Sequence, residues 1–244
     1  MIRRAMVLAA GRGTRLAPLT DRIPKPLAPV ADRPFLDHLL GMLASNGIRE
    51  VVINLHHLGE RIVEHVGDGS RYGLDVRYSR EARILDTGGG IKHAEALLAG
   101  EPFLVANGDS LLEIPLRDLY AFHRDRGGVA TLALRPDPEA ARYGLVEIDE
   151  RDRVRRIVGL PGPDAPDTLR GFMFPGLHVL EPSVFRYMDG GQAFSVTRIT
   201  YPRLIATGTA CASDSDGRLS HQPDSDFNDL PEGRLCLPVR GRVL

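Results

Sequence analysis

The chain has 244 residues, 43% of them hydrophobic, enough to bury the core of one large α/β domain or two small ones. Its 31 basic and 32 acidic side chains nearly cancel, which excludes bulk electrostatic attraction to nucleic acid or to a membrane surface. Two cysteines, Cys211 and Cys236, are too few for a disulfide framework, and no stretch approaches the roughly 20 apolar residues of a membrane span.

Arg3 and Arg4 precede an apolar run, as in a signal peptide. The run, Ala5 to Ala10, ends at Gly11 and is shorter than an h-region of roughly 7–15 residues, so a cytoplasmic protein is expected. Ala5 to Leu8 reads as a first strand and leads into LAAGRGTRLAPLTDRIPKP, Leu8 to Pro26. Small residues at Ala9, Ala10, Gly11 and Gly13 let the backbone approach a ligand and present its N–H groups. Arg15 and Lys25 follow, with Pro18, Pro24 and Pro26 stiffening the loop. Glycines with two fixed cations suit a triphosphate: Arg15 can fork onto two oxygens, and Lys25 is a movable point charge. Leu16 stands where a dinucleotide fingerprint has its third glycine, and no Gly-Lys-Ser/Thr of a Walker A loop follows. An ordinary strand-to-turn junction is the alternative reading of the glycines.

Pro34 to Asn46 carries Phe35, Leu36, Leu39, Leu40 and Leu43 at helical spacing and is ended by Gly47. Val51 to Ile53 reads as a buried strand, Leu58 to Val66 as a helix, and Val76 to Tyr78 as a strand. A helix opens at Thr87, runs through Gly88-Gly89-Gly90 and ends near Ala99. Phe103 to Val105 is a strand closed by Asn107-Gly108-Asp109. This alternation predicts a three-layer α/β/α fold with a mixed, mostly parallel sheet. Ligands in such sheets sit at the carboxyl ends of the strands, where Gly11 and Asp109 both fall.

Leu116 to Arg126 then reads as a helix and Val129 to Leu134 as a strand. Tyr143 to Ile148 and Val154 to Val158 read as a hairpin, Gly159 to Thr168 as a loop, and Gly171 to Leu180 as one strand. Ser183 to Tyr187 and Ser195 to Ala206 read as helices. One domain is expected over residues 1–209. From about Ala210 the apolar period disappears, and residues 210–244 have the composition of a poorly ordered tail.

Asp109 at a strand end is either a turn residue or a hard oxygen ligand suited to Mg²⁺. Glu81 and the run Asp86 to Gly90 mark either a flexible helix entry or backbone N–H groups left open to a ligand. His56 and His57 are adjacent, so their rings point apart and do not share a metal.

The string A-G-x-G-T-R, P-L-T, P-K-P resembles the signature of the sugar-1-phosphate nucleotidyltransferases, or nucleotide-sugar pyrophosphorylases. Cytidylyltransferases of isoprenoid synthesis share the glycines but usually carry P-K-Q at Pro24-Lys25-Pro26. The resemblance covers residues 1 to about 209. At Asn54 to Ser79 and Asp86 to Ile91 it is closest to N-acetylmuramate-1-phosphate uridylyltransferases and mannose-1-phosphate guanylyltransferases. It implies a Rossmann-like nucleotide-diphospho-sugar transferase fold and Mg²⁺-dependent joining of a nucleoside triphosphate, UTP or GTP, to a sugar 1-phosphate. A monomer or small homo-oligomer working in cell-envelope polysaccharide synthesis follows, with no nucleic-acid or membrane partner.

Carried over residue by residue, the resemblance implies that Leu8, Ala9, Ala10, Gly11, Gly13, Thr14, Arg15 and Lys25 hold the nucleotide, with Glu81 and Gly88 beside its base. Asp109 holds the metal and joins Arg15 and Lys25 as catalytic, while Asn107 meets the sugar phosphate and the Gly144 backbone meets the sugar. Two departures stand out. The family's Glu-Lys-Pro is replaced by Gly159-Leu160-Pro161. Its W-x-D-x-G-T segment, with a second metal-binding Asp, has only a faint echo at Phe227 to Pro231, around Asp229, in a chain without tryptophan. A shifted frame or spliced end, with weakened metal affinity and low activity, is the reading of that tail. A regulatory relative that binds nucleotide sugars without turnover and a phosphocholine-type cytidylyltransferase are the rival readings.

Overall fold

Apolar runs too short for helices and too continuous for a half-exposed sheet become the central strands. In a computed structural model that describes residues 1–112, 114–163 and 165–207, the chain opens with β1 (Arg4–Leu8). A loop and the small hairpin β2 (Pro29–Val30) and β3 (Arg33–Pro34) lead to α1 (Phe35–Ser45). The alternating part continues with β4 (Glu50–Leu55), α2 (Gly59–Val66), β5 (Asp75–Arg80), α3 (Asp86–His93), α4 (Glu95–Leu98), β6 (Phe103–Asn107), α5 (Leu116–Arg126) and β7 (Ala130–Leu132). Then follow α6 (Ala140–Tyr143), β8 (Leu145–Ile148), β9 (Val154–Ile157), β10 (Leu160–Pro161), β11 (Arg170–Met173), β12 (Leu177–Leu180) and α7 (Tyr201–Ala206). The expectations for the tail, with Asp229, Cys211 and Cys236, lie outside the described residues.

Six strands form the main sheet in the order β5-β4-β1-β6-β12-β7. β5, β4, β1 and β6 are mutually parallel, and β12 runs antiparallel to both β6 and β7. The expected mixed, mostly parallel sheet is therefore present. Ala5, Met6 and Val7 are each wholly buried, because both faces of the sheet are covered. Met6, Val105, Ile91 and Tyr201 belong to the core on one face; Ala5, Val7, Leu36, Leu40 and Leu119 belong to the core on the other. Among the described residues no helix is long and apolar enough to cross a membrane.

The expected strand from Gly171 to Leu180 is two strands in two sheets. β11 pairs with β8 in a separate antiparallel sheet, order β10-β9-β8-β11, while β12 joins the main sheet. Phe174-Pro175-Gly176 divides them. Pro175 has no N–H for a ladder, and Gly176 sits at φ +85°, where a side chain would overlap Asn107. The expected hairpin is present as β8 and β9, its turn tied by Asp149, whose Oδ1 accepts from the N–H groups of Arg151 and Arg153. The helix expected from Thr87 to Ala99 breaks at Ala94, between α3 and α4. The loop expected after Gly159 contributes the edge strand β10.

His178 on β12 is buried, bonded through Nδ1 to the Tyr201 hydroxyl, with the Phe174 ring edge-on at 5.4 Å between centroids. Burial pushes His178 down to about 3. The unfolded chain takes up this proton below about 6.5, and the folded chain does not until about 3, so the stability this group contributes is intact above 6.5 and is lost as the pH falls. About 2 kcal/mol should disappear between pH 6.5 and pH 5. Urea unfolding at pH 7 and pH 5 checks this: the pH dependence should be shallower in His178→Gln, and an unchanged slope would count against it.

Candidate functional site

β1 and β6 lie side by side with Leu8 opposite Asn107, so the segments leaving their carboxyl ends emerge together. Gly108 donates its N–H to the Leu8 carbonyl at 2.9 Å. A Cβ on Gly108 would lie 3.0 Å from that oxygen and 3.2 Å from Val7 Cγ1, which is why the turn needs glycine. Asp109 is thereby aimed across the strand ends, and its carboxylate pairs with the Lys25 ammonium, from 84 residues earlier in the chain.

Lys25 is held there by its flanking prolines. Pro24 and Pro26 are both buried, and Pro26 packs towards Gly108, 3.4 Å from where a Cβ would stand. The Lys25 stem lies over Gly13, where a Cβ would come within 2.9 Å of Lys25 Cβ. Gly13 also needs φ +64°, and its carbonyl accepts from Thr20 Oγ1 at 3.0 Å. Lys25 and Asp109 keep 26% and 30% of their side chains exposed, so the pair is open to a ligand. A Cβ on Gly11 would meet no protein atom within 4 Å, leaving free space beside the loop.

Thr14 and Arg15 sit on a single 3₁₀ turn on the same loop. Arg15 is exposed and makes no bond to Lys25, Asp109 or any other described residue. Arg12 and Arg22 are likewise exposed without a described partner, so the loop presents three guanidinium groups to solvent. Such an array is suited to phosphate oxygens.

Leu8 is half-buried, and Ala9 and Ala10 are buried where the chain leaves β1. Ala9 donates its N–H to Asn54 Oδ1 at 2.7 Å, and Asn54 Nδ2 donates to Glu81 Oε1 at 2.7 Å. Glu81 Oε2 accepts from the Leu85 N–H at 2.9 Å. Glu81, expected beside the nucleotide base, has its carboxylate turned inward, with both oxygens engaged within the protein. Asn54 was not singled out by sequence; its only signal is an amide at the end of the apolar run Val51-Val52-Ile53.

The glycine run differs from expectation as well. The N–H groups of Gly88 and Gly89 are not open to a ligand, because both donate to the Phe194 carbonyl, at 2.8 and 3.2 Å. The segment before Val196 lies along the start of α3, and a Cβ on Gly88 would overlap the Phe194 ring. Thr87 Oγ1 accepts from the Val196 N–H at 2.9 Å, which locks the same contact.

Of the two residues expected at the sugar, Asn107 donates its N–H to the Gly176 carbonyl at 3.0 Å and packs its amide on Gly176. Gly144 precedes β8 at φ +103°, in the second sheet, and shares none of the contacts that join Gly13, Lys25 and Asp109. His56 Nδ1 meets the Glu81 carbonyl at 2.9 Å and His57 Nε2 the Thr20 carbonyl at 2.8 Å, so the two rings point to different partners.

Among the described residues no three His, Cys, Asp or Glu side chains gather to hold a metal. Asp109 offers a hard, accessible carboxylate at the strand ends beside the cationic loop. That fits a cation held by one carboxylate and otherwise by phosphate oxygens and water.

A family model described as "Nucleotidyl transferase" matches residues 4–196. A mannose-1-phosphate guanylyltransferase of Mycobacterium tuberculosis is 37% identical over 204 residues, 84% of this chain and 56% of its own length. An N-acetylmuramate alpha-1-phosphate uridylyltransferase of Neisseria meningitidis is 38% identical over 200 residues, 80% of this chain and 81% of its own length. The chain thus spans little more than half the length of several curated relatives. The crystal structure of HddC from Yersinia pseudotuberculosis superposes with a TM-score of 0.71 at 20% identity, covering 98% of this chain and 92% of that one.

Proposed function

The chain belongs to the nucleotidyl transferase family, and from that premise we propose that it joins a nucleoside triphosphate to a sugar 1-phosphate, giving a nucleotide-sugar and pyrophosphate. The observation that carries this reading is the pairing of Lys25 with Asp109 at neighbouring parallel strand ends, under a glycine loop with unpartnered arginines. UTP and GTP are the proposed nucleotides.

In the proposed reaction an oxygen of the sugar phosphate attacks the α-phosphorus in line. The bond from that phosphorus to the α–β bridging oxygen breaks, and pyrophosphate leaves with the electron pair. The protein has little covalent work to do, so positioning and charge neutralisation supply most of the rate. Arg15 and Lys25 are assigned to the charge that builds on the phosphates. The N–H groups around Gly11 and Gly13 are assigned to the nucleotide, and Asn107 to the sugar phosphate. Asp109 would hold Mg²⁺, which would offset the negative charge of the phosphates.

The test is pyrophosphate release from the full chain with Mg²⁺, using five nucleoside triphosphates against glucose, mannose and N-acetylmuramate 1-phosphates and phosphocholine. Release is expected with UTP or GTP and a sugar 1-phosphate. Release only with CTP and phosphocholine, or nucleotide-sugar binding without any release, would replace this reading with one of its rivals.

A further inference from the structure

The two glycine-rich walls of the site, Ala9 to Thr14 and Asp86 to Gly90, do not bond to each other directly. They are joined by a buried row of polar groups: Ala9 N–H to Asn54 Oδ1, Asn54 Nδ2 to Glu81 Oε1, and Leu85 N–H to Glu81 Oε2. Asn54 is 3% and Glu81 5% exposed, so water does not substitute for a lost partner. A Cβ on Gly90 would stand 2.7 Å from Glu81 Oε1 and 2.8 Å from Asn54 Nδ2, so glycine at this point of α3 makes room for the row. Glu81 is itself fixed through its backbone, its N–H donating to the Leu55 carbonyl at 2.8 Å and its carbonyl meeting His56 Nδ1.

We infer that Glu81 and Asn54 are positioning residues for nucleotide binding, a buried tie that sets where the loop after β1 stands relative to the start of α3. This rests on the proposed function for the identity of the ligand. Neither side chain touches the ligand; both act through the Ala9 backbone.

The row has a donor–acceptor order that admits one solution. The Ala9 N–H demands the Asn54 oxygen, so the Asn54 amide nitrogen must face an acceptor, and the Leu85 N–H demands another. Only a group that accepts at both atoms fits between them, and a carboxylate does. In Glu81→Gln the new amide nitrogen faces either Asn54 Nδ2 or the Leu85 N–H. Turning Asn54 over moves the mismatch to Ala9 but does not remove it. Asn54→Asp sets two carboxylates against each other. The double variant Asn54→Asp with Glu81→Gln reverses the order of the middle bond and satisfies every group again, with the charge moved by one residue.

The test compares wild type, both single variants and the double variant as full chains, at a temperature where each is folded. Exchange of the Ala9 amide is read without nucleotide, and binding of UTP and GTP is read by calorimetry. The inference expects faster Ala9 exchange and at least about tenfold weaker nucleotide affinity in each single variant, with both restored in the double variant. Unchanged Ala9 exchange in Glu81→Gln overturns it. Faster exchange with unchanged affinity also overturns it, since a purely structural role lowers stability without moving affinity in the folded protein. Should Glu81→Gln fail to fold, Asn54→Ser carries the same two readings: its shorter side chain releases Ala9 but still offers Glu81 a donor. If wild type binds neither nucleotide, the proposed function falls, and the exchange measurement still decides whether the tie exists.

Discussion

Asp109→Asn is expected to reduce Mg²⁺-dependent pyrophosphate release by about 10³-fold or more while leaving the fold intact, a loss of about 4 kcal/mol of transition-state stabilisation. The substitution keeps the shape of the side chain and removes its charge. The variant loses both things Asp109 offers: a hard anionic oxygen beside the glycine loop, and the counter-charge that pairs with Lys25 at the strand ends. The pair is partly exposed, so its loss costs folding little, about 0–1 kcal/mol. Thermal unfolding should therefore shift by a few degrees at most, while kcat collapses. Near-normal turnover of the variant at saturating Mg²⁺ would remove Asp109 from the mechanism.

Lys25→Ala is expected to lower kcat by about 10²–10³, with a smaller rise in KM for the triphosphate. The ammonium is placed by the buried prolines on either side and by its stem over Gly13, so the cation is oriented before any ligand arrives. A preorganised charge is worth most where negative charge develops, which is the transition state rather than the bound ground state. Arg15→Ala should act in the same direction. Arg15 has no described partner to hold it in place, so part of its effect should appear in KM. If only KM moved in Lys25→Ala, the residue would be a binding group and nothing more.

Substitutions at Asn54 and Glu81 belong to a different class. They leave Lys25, Arg15 and Asp109 untouched and alter the backbone that presents the loop, so they should move nucleotide affinity before they move the chemical step.

Read alone, the sequence determined most of the central strands and helices and their kind. Leu36, Leu39, Leu40 and Leu43 sit on one face of α1, and Val51 to Ile53 are buried on both faces of β4, because burial writes itself into spacing within a few residues. The glycines, prolines and cations of Leu8 to Pro26 were legible as a stiffened, cationic loop suited to phosphate for the same reason: their conformational and charge properties belong to the residues themselves. What the tertiary structure decided is who meets whom. Parallel register sets Leu8 between Asn54 and Asn107, and that register brings Asn54 under Ala9 and Asp109 onto Lys25. A period of two in a strand names the face of a side chain but not the strand that lies beside it. The inward turn of Glu81, the capture of the Gly88 and Gly89 N–H groups by Phe194, and the division of the chain at Gly176 are pairings of that kind. Each joins residues far apart in the chain, where free energy is gained only after the sheet has assembled and no local pattern records it in advance.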